Sequence, residues 1–378
     1  MKLLYFIPLL STCGGQERTL IDKANYLVGQ GHDVLFVTYE HEGRIAYPMD
    51  PLIKHVDLKC HVFKLYKYAV YLRFWKYLKL KFTFRKQMSD VISFFHPDVI
   101  NIAIPNTENF LCDVMAVAKN VPIVIESHLA MGYQVIKRGR TETWLYKFFN
   151  PQRAVCHADL FIALTEGDAT CWRQIGVKHL KIIPNPVTSY PDLLQNVKKK
   201  EGRIICVGRL TPQKRFDRLI DAFSLIAVRY PDWHITIFGE GEDKEKLQNQ
   251  IVVKNLEDRI FLTPPTKDIY LHYMSSQFLV LSSDFEGFGL VITEAMACGI
   301  PVVATNCPFG PSEIIDDGKS GLLAKMDVKD LAEKMEWMMT HDEDRRLMGA
   351  NAHQAAARFR KETIMPQWEE AYLSVIKS

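Results

Sequence analysis

Nowhere in the 378 residues do two cysteines stand as Cys-x-x-Cys, the spacing of zinc ribbons and dithiol redox sites. The eight cysteines are scattered at positions 13, 60, 112, 156, 171, 206, 298 and 307. They read as reduced cytosolic thiols rather than a disulfide frame. No apolar run approaches the ~20 residues a membrane-spanning helix needs. No serine-nucleophile elbow, internal repeat or low-complexity segment occurs. The composition, 48% hydrophobic and 24% charged, is that of an ordinary globular protein. The length suits two domains, each with its own core.

One absence is local. Residues 58–89 carry nine Lys and Arg and no acid, and are dense in Phe, Tyr and Trp. The formal net charge of +3 hides this asymmetry. Residues 1–200 hold 26 basic against 17 acidic side chains, a balance of +9, and the remainder hold 21 against 27, a balance of −6. The 58–89 segment has two readings. It is a solvated basic helix with an aromatic stripe toward the core, or a surface resting on anionic membrane head groups. Nucleic acid is not expected as a partner, because the chain as a whole is nearly neutral.

The opening MKLLYFIPLLSTCGGQERTL resembles a short secretion signal, but Pro8 interrupts the apolar run and bulky Thr12 precedes Cys13. The residues beyond Cys13 support another reading. Leu20, Ala24, Leu27 and Val28 recur at helical spacing, Gly31 ends the helix, and HDVLFVT has strand length. Strand, glycine loop, helix and strand make one βαβ unit.

That alternation continues. Strand-like runs are KLLYFIP, HDVLFVT, DVINIAI, VPIVIES, DLFIALT and HLKIIPN in the first half. RIICVGR, WHITIFG, RIFLTPP, QFLVLSS and IPVVATN come in the second. The fold class expected is α/β, with two Rossmann-like, doubly wound parallel-sheet domains facing across a cleft. IPNPVTSYPDLLQNVKKKEG, at 183–202, holds three prolines and a basic run and reads as the connector. Domains are therefore expected at 1–190 and 191–360. Residues 361–378 form a C-terminal helix expected to pack back on the first domain. Ligands of such sheets bind beyond the carboxyl ends of the strands.

Two such loops stand out. In SSDFEGFGLVITEAMACGIPVVAT, a glycine-rich loop after QFLVLSS leads into a helix expected to begin near Phe288. A helix start suits a diphosphate. Glu286 precedes that helix and Glu294 lies about two turns on, so the two carboxylates face broadly alike. They suit hydroxyl pairs of a sugar or ribose, or are a capping and a solvated glutamate. In CVGRLTPQKRFDRLIDAF, Arg209 and Lys214 come after a strand ending at Gly208. Cations are unusual at a helix start. They suggest a shared anionic ligand, or surface pairing with Asp217 and Asp221.

With these stretches the chain resembles glycosyltransferase family 4: retaining, nucleotide-sugar-dependent enzymes of the GT-B fold. The carriers are VGRLTPQKRFDRLIDAF, FEGFGLVITEAMACGIPVVAT with Glu286 eight residues before Glu294, Gly14-Gly15 followed by Glu17-Arg18, IPNPV, and QWEEAY. NCPFGPSEIIDDGKSGLL is most similar to members that build capsule, lipopolysaccharide or related glycans.

The resemblance implies a role for each matching position. Arg209 and Lys214 hold the donor phosphates and neutralise the leaving diphosphate. Glu286 binds the donor sugar and Glu294 the ribose diol. Backbone N–H groups of Phe288, Gly289 and Leu290 meet the diphosphate and sugar. Gly14, Gly15 and Gly208 allow close backbone approach. The loop of Gly239 and Gly241, with 263–270 beside it, lies near the base. His128 stands near the reacting sugar, or is only a satisfied polar residue at the end of VPIVIES.

The expected function is transfer of a hexose or N-acetylhexosamine from a UDP-sugar to a lipid-linked or polysaccharide acceptor. No cofactor and no metal are expected, and the protein is expected in the cytoplasm, peripheral on the inner membrane face. A UDP-sugar epimerase and a non-catalytic sugar- or nucleotide-binding protein are the alternatives. Asp342-Glu343-Asp344 matches a metal-binding DxD pattern but reads as an acidic helix start. Two positions depart from the family pattern. Cys13 precedes Gly14, and Arg215 stands where many relatives carry glycine, its charge expected to touch phosphate or only solvent.

Overall fold

A computed structural model describes residues 1–12, 14–104, 107–128, 151–191 and 202–377. Cys13 and the polar run 192–201 of the connector lie outside the described residues. The chain divides into two compact units, one of Met1–Pro184 with Ile364–Ser378, the other of Asn185–Thr363.

The first unit is built on a seven-stranded sheet. Its strands are β1 (Lys2–Phe6), β2 (Asp33–Thr38), β3 (Lys54–Asp57), β4 (Val99–Ile104), β5 (Ile123–Ser127), β6 (Leu160–Ala163) and β7 (Leu180–Ile182). The order is β3-β2-β1-β4-β5-β6-β7, with every pair parallel; Leu3 lies opposite Val34 on one side and Val99 on the other. Both faces are covered, which is why the central strands read as unbroken apolar runs.

Strand alternation divides the core in two. Leu4 and Phe6 face the helices Val70–Phe95 and Glu108–Ala118, with Phe84 stacked on Phe110 at 4.0 Å between ring centres. Leu3 and Tyr5 face the helix Gly15–Gly29 and the C-terminal residues Ile364, Met365, Trp368, Ala371 and Tyr372.

The second unit repeats the plan with β8 (Arg203–Val207), β9 (His234–Phe238), β10 (Ile260–Thr263), β11 (Phe278–Leu281), β12 (Val302–Thr305) and β13 (Gly321–Ala324). All pairs are parallel, in the order β10-β9-β8-β11-β12-β13. The helices Phe216–Ile226 and Val328–Thr340 supply Phe223, Ile226, Met335 and Met338 to its core.

All eleven strands expected from the sequence are present, and two more occupy sheet edges. β3 is KHVD, polar and only half-covered; β13 is four residues long. An edge strand packs on fewer neighbours, so its apolar signal is weak.

Strand order reverses between β1 and β4 in the first sheet and between β8 and β11 in the second. Loops leaving the carboxyl ends at such a point part in opposite directions and leave a crevice between them.

The basic aromatic segment forms a short turn, Phe63–Lys67, and then the helix Val70–Phe95. Phe84, Met88 and Phe95 are buried, whereas Tyr71, Phe74, Trp75 and Phe82 stand in solvent, Trp75 at 69% and Phe82 at 73% exposure. The helix thus has two apolar faces, one in the core and one bare.

Candidate active site

The chemistry-bearing loops of the second unit meet at its switch point. After β8 the chain runs through Gly208 and Arg209 into the turn Pro212–Lys214 and the helix Phe216–Ile226. After β11 it runs through 282–289 into the helix Leu290–Ala297. The helix begins two residues later than Phe288, because Gly289 caps it at φ +98°, a left-handed conformation that glycine alone adopts without strain.

Hydrogen bonds sew these loops together. Asp284 N donates to Gln213 O at 2.9 Å, Gln213 Nε2 to Phe285 O at 2.8 Å, and Ser282 Oγ to Lys214 O at 2.8 Å. Arg218 donates to Ser282 O and to the Asp284 carboxylate, at 2.9 and 2.6 Å. Arg215 grips Asp217 and Asp284. It is therefore a fastener between the loops rather than a charge that meets only solvent. The β12 loop joins through Glu286 N to Pro308 O, and Thr305 Oγ1 to Ser283 O.

On this frame Lys214 Nζ donates to Glu286 Oε1 at 2.7 Å, and Ser283 Oγ donates to the same oxygen at 2.6 Å. Both side chains are mostly buried. Gly208 makes room, since a Cβ there would lie 3.3 Å from the Lys214 stem. Pairing of Arg209 or Lys214 with Asp217 or Asp221 does not occur. Lys214 bonds Glu286, and the exposed Arg209 guanidinium has no hydrogen bond or ion pair among the described residues. Burial pushes the nearby Cys307 thiol up to about 12, with the Glu286 charge adding to the shift, so it stays protonated.

Glu294 is buried inside the helix Leu290–Ala297 and accepts from Tyr273 Oη at 2.9 Å. Neither glutamate is a cap or a solvated helix residue. Phe288 turns its ring into the interior against Phe359, leaving its backbone at the loop. Gly239 lies against Gly208, where a Cβ would come 1.9 Å from the Gly208 carbonyl oxygen, and the 239–241 loop bonds Leu210.

In the first unit, Gly14 caps the helix Gly15–Gly29 in an extended conformation. A Cβ at Gly14 would meet Glu17 Oε2 at 2.1 Å, so that carboxylate folds back over the glycine turn. His128, one residue past β5, is turned inward, its Nε2 3.2 Å from Glu126 Oε2. Asp342-Glu343-Asp344 opens the helix Asp342–Ala356, where Asp342 pairs with Arg345 and Arg346.

Known proteins match along most of this length. Residues 13–189 match the family model described as Glycosyltransferase Family 4, and residues 194–355 that described as Glycosyl transferases group 1. The chain belongs to glycosyltransferase family 4. An uncharacterized glycosyltransferase of Haemophilus influenzae is 27% identical over 97% of this chain and 99% of its own. The Staphylococcus aureus poly(ribitol-phosphate) alpha-N-acetylglucosaminyltransferase is 32% identical over 43% of this chain and 33% of its own. Among solved structures, S. aureus TarM with UDP and alpha-GlcNAc-glycerol superposes at a TM-score of 0.80, with 16% identity, over the full length of both chains. That likeness establishes the GT-B fold.

For this family 4 glycosyltransferase, sequence reasoning singled out Glu286, Glu294, Lys214 and Arg209 as candidates but not the residues that hold the two glutamates and their loops in place. Ser283, Tyr273, Arg218 and Asp284 have no spacing signature; only their contacts mark them. Gly310 is another missed support. At φ +101°, its missing Cβ would lie 2.1 Å from Phe288 O. Gly310→Ala is expected to lower stability by at least about 1–3 kcal/mol, the usual cost of backbone strain at a non-glycine residue. Urea unfolding checks this, and an unchanged midpoint at equal slope would contradict it.

Proposed function

We propose that the chain transfers a hexose or N-acetylhexosamine, with retention, from a UDP-sugar to a lipid-linked or polysaccharide acceptor, without a metal. The observation that carries this reading is the Lys214–Glu286 pair at the switch point where the Leu290 helix starts, with the exposed Arg209 in the same loop as Lys214. Departure of a nucleoside diphosphate builds negative charge on its β-phosphate. Lys214, held by Glu286, and the N–H groups of Phe288, Gly289 and Leu290 at the helix start are preorganised to receive it, and Arg209 adds a second cation from the same loop.

Glu286, fixed by Lys214 and Ser283, accepts hydrogen bonds from donor-sugar hydroxyls. Glu294, steadied by Tyr273, takes the ribose diol. The loops of Gly208 and Gly239 allow approach of phosphate and base. In the first unit, Gly14, Gly15 and His128 serve the acceptor and the reacting sugar.

A double displacement needs a carboxylate nucleophile at the anomeric carbon. Glu286 and Glu294 are already committed as hydrogen-bond acceptors, which favours same-face substitution with the leaving phosphate taking the acceptor proton. The α-linked product named for the S. aureus relative supports retention, since such donors carry an α-linked sugar.

The bare face of the helix Val70–Phe95 supports an acceptor at a membrane surface. Trp75, Tyr71 and Phe82 are flanked by Lys76 and Lys79, with Lys76 Nζ 4.1 Å over the Tyr68 ring. Aromatic and basic side chains together suit anionic head groups on the cytoplasmic leaflet. Among the described residues no helix is long and apolar enough to cross a membrane.

Glu286→Gln keeps the side-chain volume but removes the charge. It is expected to lower transfer about 10²-fold or more, the order for losing one preorganised group, while calorimetry shows UDP binding largely retained. Unimpaired transfer would sink the assigned role. Trp75→Ser with Lys76→Glu and Lys79→Glu, sparing the Lys81 that pairs with Asp113, should release the protein from phosphatidylglycerol vesicles. Unchanged cosedimentation would leave the helix a solvated surface.

A further inference from the structure

Behind His128 lies a charged cluster that the transfer reading does not use. Lys23, in the middle of the helix Gly15–Gly29, is fully buried with its Nζ 3.5 Å over the Trp368 ring and paired to Glu126. Glu126, also fully buried, accepts from Asn101 Nδ2 at 2.6 Å, and Asn101 Oδ1 accepts from Tyr372 Oη at 3.3 Å. Tyr372 and Tyr5 hydroxyls are joined at 2.9 Å. Burial alone would raise the Glu126 pKa, but Lys23 and His128 outweigh it and hold the carboxyl at about 2.

Strand alternation places Glu126 and His128 on one face, while Ser127 turns to the other and bonds Asp168 at 2.9 Å. The His128 side chain is 3% exposed. Its Nε2 lies 3.2 Å from the Glu126 carboxylate and is bent out of line for a full hydrogen bond. A ring nitrogen that close to a carboxylate must carry its proton there, because a lone pair facing a carboxylate is repelled. A neutral imidazole then has Nδ1 as an acceptor.

We propose that Glu126, held by Lys23 and Asn101, is a positioning residue for His128, drawing Nε2–H inward so that Nδ1 is left to accept from a hydroxyl of the transferred sugar. The inference rests on the assignment of His128 to the reacting sugar. Lys23 is needed because a buried carboxylate without a cation would take up a proton and lose its hold on Nε2–H.

The test uses the full chain labelled with ¹⁵N-histidine, with NMR reporting the His128 tautomer at pH 7.5. Nε2–H with unprotonated Nδ1 is expected, and the opposite tautomer in the wild-type protein overturns the proposal whatever any variant does. Kinetics with UDP-N-acetylglucosamine and UDP-glucose as donors complete it. The pair Lys23→Met and Glu126→Gln removes both charges together, avoiding a lone buried ion. It should randomise the tautomer and lower kcat about 10-fold with donor KM within about 3-fold. Added to His128→Ala it should do nothing further. A paired variant that keeps tautomer and kcat, or whose loss adds fully to that of His128→Ala, contradicts positioning. Wild-type kcat in His128→Ala would instead overturn the assignment of His128, a distinguishable failure.

Discussion

Lys214 and Glu286 leave water together or not at all. Either charge alone, taken out of water to this degree, would cost several kcal/mol, yet at 2.7 Å, with Ser283 on the same oxygen, the pair is compensated. The contact can form only if the loop after β8 and the loop after β11 lie side by side. The strand order of the second sheet enforces that. Arg218, Arg215 and Asp284 brace the loops from behind. The cation of the first loop is thus delivered beside the helix start of the second.

Much of the plan was legible in the amino-acid order because parallel strands covered on both faces must be apolar throughout. Runs such as VINIAI and FLVL announce themselves. Glu286 and Glu294 were legible as an anomaly too, since two acids beside a helix start suited to a diphosphate repel that ligand unless they meet its hydroxyls or other partners. β3 and β13 were not. They are short edge strands, and KHVD owes its conformation to pairing with β2 rather than to any apolar pattern.

The partners of the site were the least legible. Ser283, Tyr273 and Asp284 become significant only when the chain folds them against Glu286, Glu294 and Arg218. Lys23 did leave a trace. Its position lies inside the apolar stripe of Leu20, Ala24 and Leu27, where a lysine demands a buried counter-charge. Glu126, an acid within the apolar run VPIVIES, is the complementary anomaly. Reading the two misfits together would have suggested the pair, because each explains the cost of the other.

The central claim is that this family 4 glycosyltransferase activates a nucleotide sugar with protein cations and a helix terminus. Its most direct test is nucleoside diphosphate release from a panel of UDP-, GDP- and ADP-sugars in EDTA, with and without extracted lipid-linked glycan. The account predicts release from a UDP-sugar that rises when the glycan is added and is unaffected by EDTA. A requirement for added divalent metal, or no release from any donor by the folded protein with acceptor present, would contradict it.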